Sequence, residues 1–385
     1  MVLPRVSALA ALAGLLLACA PATEPAADAP KPSDTAATPA HTPLSAPMPM
    51  APACGDPVAV LSTRDKLAQL LMVGVTGADD ARAVVEGQHV GGIMIGSWTD
   101  LSIMGDPLRG IAAAAALPVA VSVDEEGGRV SRLSGLIGAQ PSPRVLAQTK
   151  TAAEVRAIAA QRARAMRELG ITIDFAPVVD VTTESDDEVI GDRSFGSDPA
   201  KVTEYAGAYA QGLRDGGLLP VLKHFPGHGH ASGDSHEGGV VTPPLADLQA
   251  GDLLPYRDLT TQQPVAVMVG HMQVPGLTGS DPASLSPAAY GLLRSGNYGG
   301  PPFGGLVFTD DLSSMGAINQ RYGVADAVLR SLQAGADVAL WVTTGEVPAV
   351  LDRLEQAVAA GELPLDRVNA SVAKLAGLKG ASPRC

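Results

Sequence analysis

Short unbroken apolar runs alternate along the chain with longer stretches of helical spacing. The runs are LMVGV (71–75), GGIMIG (91–96), PVAVSVD (118–124), ITIDFAP (171–177), LPVLKHF (219–225), AVMVGH (266–271), GLVFTD (305–310) and DVALW (337–341). They are continuous rather than alternating, as expected of strands buried on both faces. Helix signals lie between many of them. Ser62 caps a helix with Asp65 at its third position, and Thr151 with Glu154 opens another that stops at Gly170. Asp198 and Pro199 open a third, which carries Val202, Tyr205, Tyr209 and Leu213 at helical spacing. Further helices are predicted over about 324–334, 346–360 and 365–378. Strands and helices in this order predict an α/β fold, a single (β/α)8 TIM-type barrel. A doubly wound open sheet is the competing arrangement.

A barrel places functional groups at the C-terminal ends of its strands. Here those ends are Asp124, Asp174, Lys223–His224, His271, Asp310 and Trp341. A polar side chain can simply mark where one strand leaves the core, but several such ends converging on one barrel mouth predict a site. The densest chemistry follows the fifth run. Residues 223–236, KHFPGHGHASGDSH, hold four of the seven histidines (His224, His228, His230 and His236) with Lys223 and Asp234. Gly and Pro prevent regular structure there. A metal site, a solvated loop and an active-site loop compete as readings. The imidazoles and Asp234 are ligand types that zinc accepts, but no helical H-x-x-x-H and no cysteine pair accompanies them. No metal is therefore expected.

The N-terminal part has a different texture. Arg5 precedes the apolar run ALAALAGLLLA, which ends at Cys19. Residues 1–18 thus read as a lipoprotein-type signal peptide with Cys19 as the lipidated residue; plain secretion is the alternative. The run is too short for a transmembrane helix. Residues 19–53 are rich in Ala and Pro, with nine prolines from Pro21 to Pro52, and are expected to form a disordered tether. The barrel domain then spans 54–385. Exported and lipid-anchored, the protein would sit on the outer side of the cytoplasmic membrane, touching the membrane only through its anchor. In that oxidising setting Cys54 and Cys385 are expected to pair as a disulfide, because a closed barrel brings its ends together. The formal charge of −13 argues against nucleic acid as a partner.

Several motifs together resemble the β-N-acetylhexosaminidases of glycoside hydrolase family three. They are KHFPGHG (223–229), DSH (234–236), VDEEGGRVSRL (123–133), GDRSFGSDP (191–199), DPASLSP (281–287) and GLVFTDDL (305–312), and the resemblance covers about residues 60–380. It implies a glycosidase that removes terminal N-acetylglucosamine with retention, without a cofactor. Asp310 would be the carboxylate nucleophile. Asp311 is a second candidate, since Met315 follows at a spacing that leaves one residue of ambiguity. His236, paired with Asp234, would be the acid/base, a role suited to an imidazole that titrates near neutral pH. Asp124, Arg132, Arg193, Lys223 and His224 would bind sugar hydroxyls, with Met315 and His271 as pocket walls. Glu125, Glu126 and Arg129 are expected to hold the EEGGR turn. The family commonly has Gln where this chain has Glu125, which adds a charge beside the site. Asp174 and Asp180 are read equally as structural or functional. The expected substrate is a small carbohydrate, a muropeptide or another N-acetylglucosaminide. A β-glucosidase of the same family and a non-catalytic sugar-binding lipoprotein are the alternatives.

Overall fold

The computed structural model describes residues 60–115 and 117–379. The signal segment, the tether, Cys19, Cys54 and Cys385 lie outside the described residues.

Each apolar run contains one strand: β1 (Leu71–Val75), β2 (Gly92–Ile95), β3 (Ala120–Val123), β4 (Ile173–Asp174), β5 (Leu219–Phe225), β6 (Ala266–Val269), β7 (Val307–Thr309) and β8 (Ala339–Trp341). They form one eight-stranded parallel sheet in the order β8-β1-β2-β3-β4-β5-β6-β7. The two edges meet where Phe308 pairs with Val338, and the Asp337 N–H donates to the Val307 carbonyl at 2.8 Å. That seam closes the sheet into a (β/α)8 barrel and removes the open-sheet arrangement. One strand is shorter than its run. Only Ile173–Asp174 pairs regularly on β4, and the chain rejoins the barrel at Val178, opposite Lys223.

Alternate strand residues face opposite sides. Met72, Met94, Ile173, Phe175, Leu219, Val221, Met268, Leu306, Phe308 and Leu340 belong to the cluster filling the barrel. Their neighbours, such as Leu71, Val73, Ile93, Val121 and Val267, join the larger cluster beneath the helices. Both faces are thus apolar, which is why the strands read as unbroken runs. The helix Ala152–Leu169 starts at the Thr151–Glu154 capping box and ends at Gly170 in the left-handed conformation, and Pro199–Asp215 follows its Asp198 cap. Among the described residues no helix is long and apolar enough to cross a membrane.

The inward register positions the site. Leu219 and Val221 are followed two residues on by Lys223, and Leu306 and Phe308 by Asp310. From Ala120 the same step reaches Ser122 and then Asp124. The polar groups thus continue the stack of core side chains at the upper end of the barrel.

Candidate active site

A cavity of about 220 Å³ opens above that stack. It is lined by Asp124, Arg132, Arg193, Lys223, His224, His236, Asp310 and Met315, among others. Asp234 does not line it. Instead its Oδ1 lies 2.7 Å from His236 Nδ1 and accepts the His236 backbone N–H at 2.9 Å, so the imidazole is held while its Nε2 edge stays available. Burial raises the Asp234 pKa, but the bonds from His236 outweigh it and lower it overall.

The polar floor is an ion network. Lys223 Nζ contacts Asp124 and lies 2.6 Å from Glu126 Oε1. Arg193 donates to both Glu126 oxygens, at 2.8 and 2.9 Å. Burial opposes charge on Glu126, yet Arg193 and Lys223 hold its carboxyl well below the usual range. His224 Nδ1 lies 2.7 Å from Asp180 Oδ2, and Asp180 Oδ1 accepts the backbone N–H of His224 and of His228. The Lys223–His224 peptide bond is cis, and both side chains line the cavity.

Asp310 and Asp311 differ sharply. Asp311 Oδ1 accepts the Ser313 N–H and hydroxyl, each at 2.8 Å, and its Oδ2 accepts the Ser314 N–H at 3.1 Å and the Ser314 hydroxyl. Its carboxylate is consumed in tying the loop. Asp310 continues the inward row of β7, and its Oδ1 accepts the Asp311 N–H at 2.9 Å. Burial pushes the Asp310 carboxyl up, but His224, His271, that N–H and Lys223 prevail and bring it down to about 2. It is therefore held as an ionised carboxylate that stays partly exposed to the cavity.

Two expectations need revision. His271 is not a pocket wall: it sits behind the cavity, with Nδ1 2.7 Å from Ser284 Oγ and Nε2 2.7 Å from the Asp311 carbonyl oxygen. Glu126 does more than hold a turn, because it is the counter-ion of both floor cations. Glu125 does tie the turn, through the Ser131 hydroxyl, the N–H groups of Arg132 and Leu133, and Arg162. Its extra charge is thus paired with Arg162 on the neighbouring helix. Trp98, which follows β2, lines the cavity and was absent from the expected set.

The loop carrying Asp234 and His236 is tied to the segment after β7. Its Ser235 and His236 carbonyls accept N–H bonds from Ala317 and Gly316, at 3.1 and 2.9 Å. Those residues begin the short helix Gly316–Asn319 after β7. The geometry brings an anionic carboxylate, a network of paired ions and an imidazole together around one cavity. Among the described residues no group of three or more His, Cys, Asp or Glu forms a metal-holding cluster.

The family model described as "Glycosyl hydrolase family 3 N terminal domain" matches residues 62–378. The chain belongs to glycosyl hydrolase family 3. The protein of Mycobacterium tuberculosis named "Beta-hexosaminidase LpqI" is 64% identical over 392 residues, spanning 100% of both chains. Among solved structures, a family 3 glycosyl hydrolase from Mycobacterium smegmatis is 75% identical with a TM-score of 0.84, covering 85% of this chain and 99% of that one. A family 3 β-N-acetylglucosaminidase from Paenibacillus is 33% identical with a TM-score of 0.77, covering 83% of this chain and 62% of that one. This family 3 chain is a glycoside hydrolase built on the barrel described above.

Proposed function

We propose that this β-hexosaminidase is a retaining exo-β-N-acetylglucosaminidase that removes terminal N-acetylglucosamine from peptidoglycan fragments. The observation that carries the reading is Asp310, ionised in a small cavity beside an Asp234–His236 pair. In the first step the Asp310 carboxylate attacks the anomeric carbon. A glycosyl–ester C–O bond forms, the glycosidic C–O bond breaks, and the leaving oxygen takes the proton from His236. In the second step water gives a proton to His236 while its oxygen displaces Asp310, which restores both groups. Asp234 fixes the imidazole and supports its charged form. Asp124, Arg132, Arg193, Lys223 and His224 bind hydroxyls of the terminal sugar, and Met315 packs against it. The cavity of about 220 Å³ lies below the roughly 300–1,000 Å³ of drug-sized sites, which suits one sugar ring and exo action.

The hexosamine preference is supported by the 64% identity to a protein named as a β-hexosaminidase and by the 33% identity to one named as a β-N-acetylglucosaminidase. Export with lipidation at Cys19 belongs to the same proposal. It would bring the enzyme to acetamido sugars released from the cell wall.

The test is a 5-fluoro N-acetylglucosaminyl fluoride, which slows release of the covalent intermediate. Peptide mass spectrometry should find the sugar on Asp310. An adduct on Asp311, or an α-configured first product by NMR, would reject the mechanism. Turnover of aryl β-glucosides in preference to the acetamido sugar would reject the substrate.

A further inference from the structure

Trp98 is a large apolar side chain left 42% exposed beside a cavity of otherwise polar purpose. Its backbone is firmly held. The Thr99 hydroxyl donates to the Val75 carbonyl at 2.6 Å and accepts the Gly96 N–H at 3.0 Å, and the Asp100 N–H donates to the Thr76 carbonyl at 2.8 Å. The turn carrying Trp98 is thereby clamped to the end of β1.

The ring is seated as firmly as the turn. A Cβ on Gly96 would stand 2.4 Å from both Cη2 and Cζ2 of Trp98 and 2.5 Å from Cε2. Near-equal distances to three ring atoms mean that the six-membered ring lies face-on over the Gly96 backbone. A Cβ on Gly74 would come within 2.7 Å of Cζ2. Gly74 on β1 and Gly96 just past β2 thus make room for one flat indole, which nonetheless lines the cavity and stays partly exposed. A tryptophan that only filled the core would not be placed so, because burying both faces is what makes its packing favourable.

The hydroxyl-binding ions come from β3, β5 and the loop after β4, whereas the ring is carried by β1 and β2. The acid/base loop is tied to the helix after β7. Because β2 pairs with β3, the ring stands beside Asp124, but it stands higher: Trp98 is 42% exposed and the His236 side chain 61%, against 3% for Lys223 and 14% for Arg193, so ring and imidazole share the outer rim, where a leaving group would emerge. We propose that Trp98 is the platform of an aglycone subsite, which stacks on the apolar face of a pyranose ring in the leaving group. The proposal rests on the exo-hexosaminidase reading, and it names a sugar rather than a peptide as the first group recognised beyond the scissile bond.

The test compares Trp98→Ala and Trp98→Phe with the wild type on two substrates with the same N-acetylglucosaminyl donor. One is the β-1,4-linked N-acetylglucosamine disaccharide, and the other is the β-fluoride, whose leaving group has no ring. Trp98→Ala should lose roughly tenfold more kcat/KM on the disaccharide than on the fluoride, the size of one aromatic contact, and Trp98→Phe should recover most of it. Equal losses on both substrates, or no loss on either, would overturn the subsite. Wild-type turnover of the fluoride tests the hexosaminidase reading separately. A second measurement is independent of turnover. In Asp310→Asn, the disaccharide should change the emission of Trp98, one of two tryptophans, the other being the fully buried Trp341. A response that persists in Asp310→Asn/Trp98→Ala would also count against the proposal.

Discussion

His228 Nε2 lies 3.0 Å from Ser235 Oγ, so a buried imidazole at the base of the site grips the residue between Asp234 and His236. Burial, and then the neighbouring His224, push the His228 pKa down, which keeps the ring neutral and able to share one proton with the hydroxyl. Ser235→Ala should loosen the acid/base loop. Turnover of substrates with poor leaving groups should fall by roughly 10–100-fold, the cost of a misplaced catalytic group. Dinitrophenyl glycosides, which leave without protonation, should be nearly unaffected. A flat loss across leaving groups would mean that Ser235 acts elsewhere.

Asp310 titrates near 2 and should add no limb to the rate profile above about pH 4. Any pH dependence of kcat/KM above that should come from the group that handles the leaving-group proton. It should flatten in His236→Ala, with azide restoring part of the second step. A pH dependence that survives in His236→Ala would assign the acid/base role to another group.

Asp174 carries a stability penalty. Its Oδ1 accepts the Glu125 N–H at 3.0 Å while its Oδ2 is buried without a partner, and burial raises its pKa well above the usual range. A group raised on folding binds a proton that the unfolded chain lacks, so its cost grows as pH rises above about 4. Asp174→Asn keeps the acceptor and removes the charge. It should stabilise the protein by on the order of 1 kcal/mol at pH 8, with little gain near pH 4. Urea melts at the two pH values measure this, and a gain confined to pH 4 would contradict it.

Glu125 and Arg162 are a buried pair bridging the turn before the site and the helix Ala152–Leu169. Glu125→Gln should destabilise by about 3–5 kcal/mol because it leaves Arg162 uncompensated. A double substitution with Arg162→Met should recover part of that loss. An unchanged urea midpoint in the single variant would show that the pair is worth nothing net.

Much of this was legible because two periodicities coincide. The continuous apolar runs marked all eight strands, and their ends located Asp124, Lys223, His224 and Asp310. The family resemblance of the run ending in FTD favours Asp310 over Asp311; the structure adds that Leu306 and Phe308 face inward in the same row as Asp310 and that Asp311 is tied to Ser313 and Ser314. His271 misled because a polar strand end can bond backward into the wall as well as forward into the cavity. Trp98 carries no charge and lies beyond Ile95, the last residue of β2, so a search for polar strand ends passes over it. The glycines at 74 and 96 were the available signal. Gly96→Ala should therefore displace the ring and repeat the disaccharide-selective loss of Trp98→Ala; kinetics identical to wild type would show that the ring does not need its seat.

The Asp234–His236 pair has a consequence for how such enzymes diversify. Both partners lie within three consecutive residues, and the proton-handling group is complete inside the segment between Phe225 and Val240, which touches the helix after β7 through backbone hydrogen bonds. Backbone contacts make few demands on side-chain identity. On the proposed roles, a related barrel that kept Asp180 and Asp252, which hold His228 and His230, could exchange its proton donor through this one short segment, while the proposed nucleophile and sugar floor stay where the strands hold them.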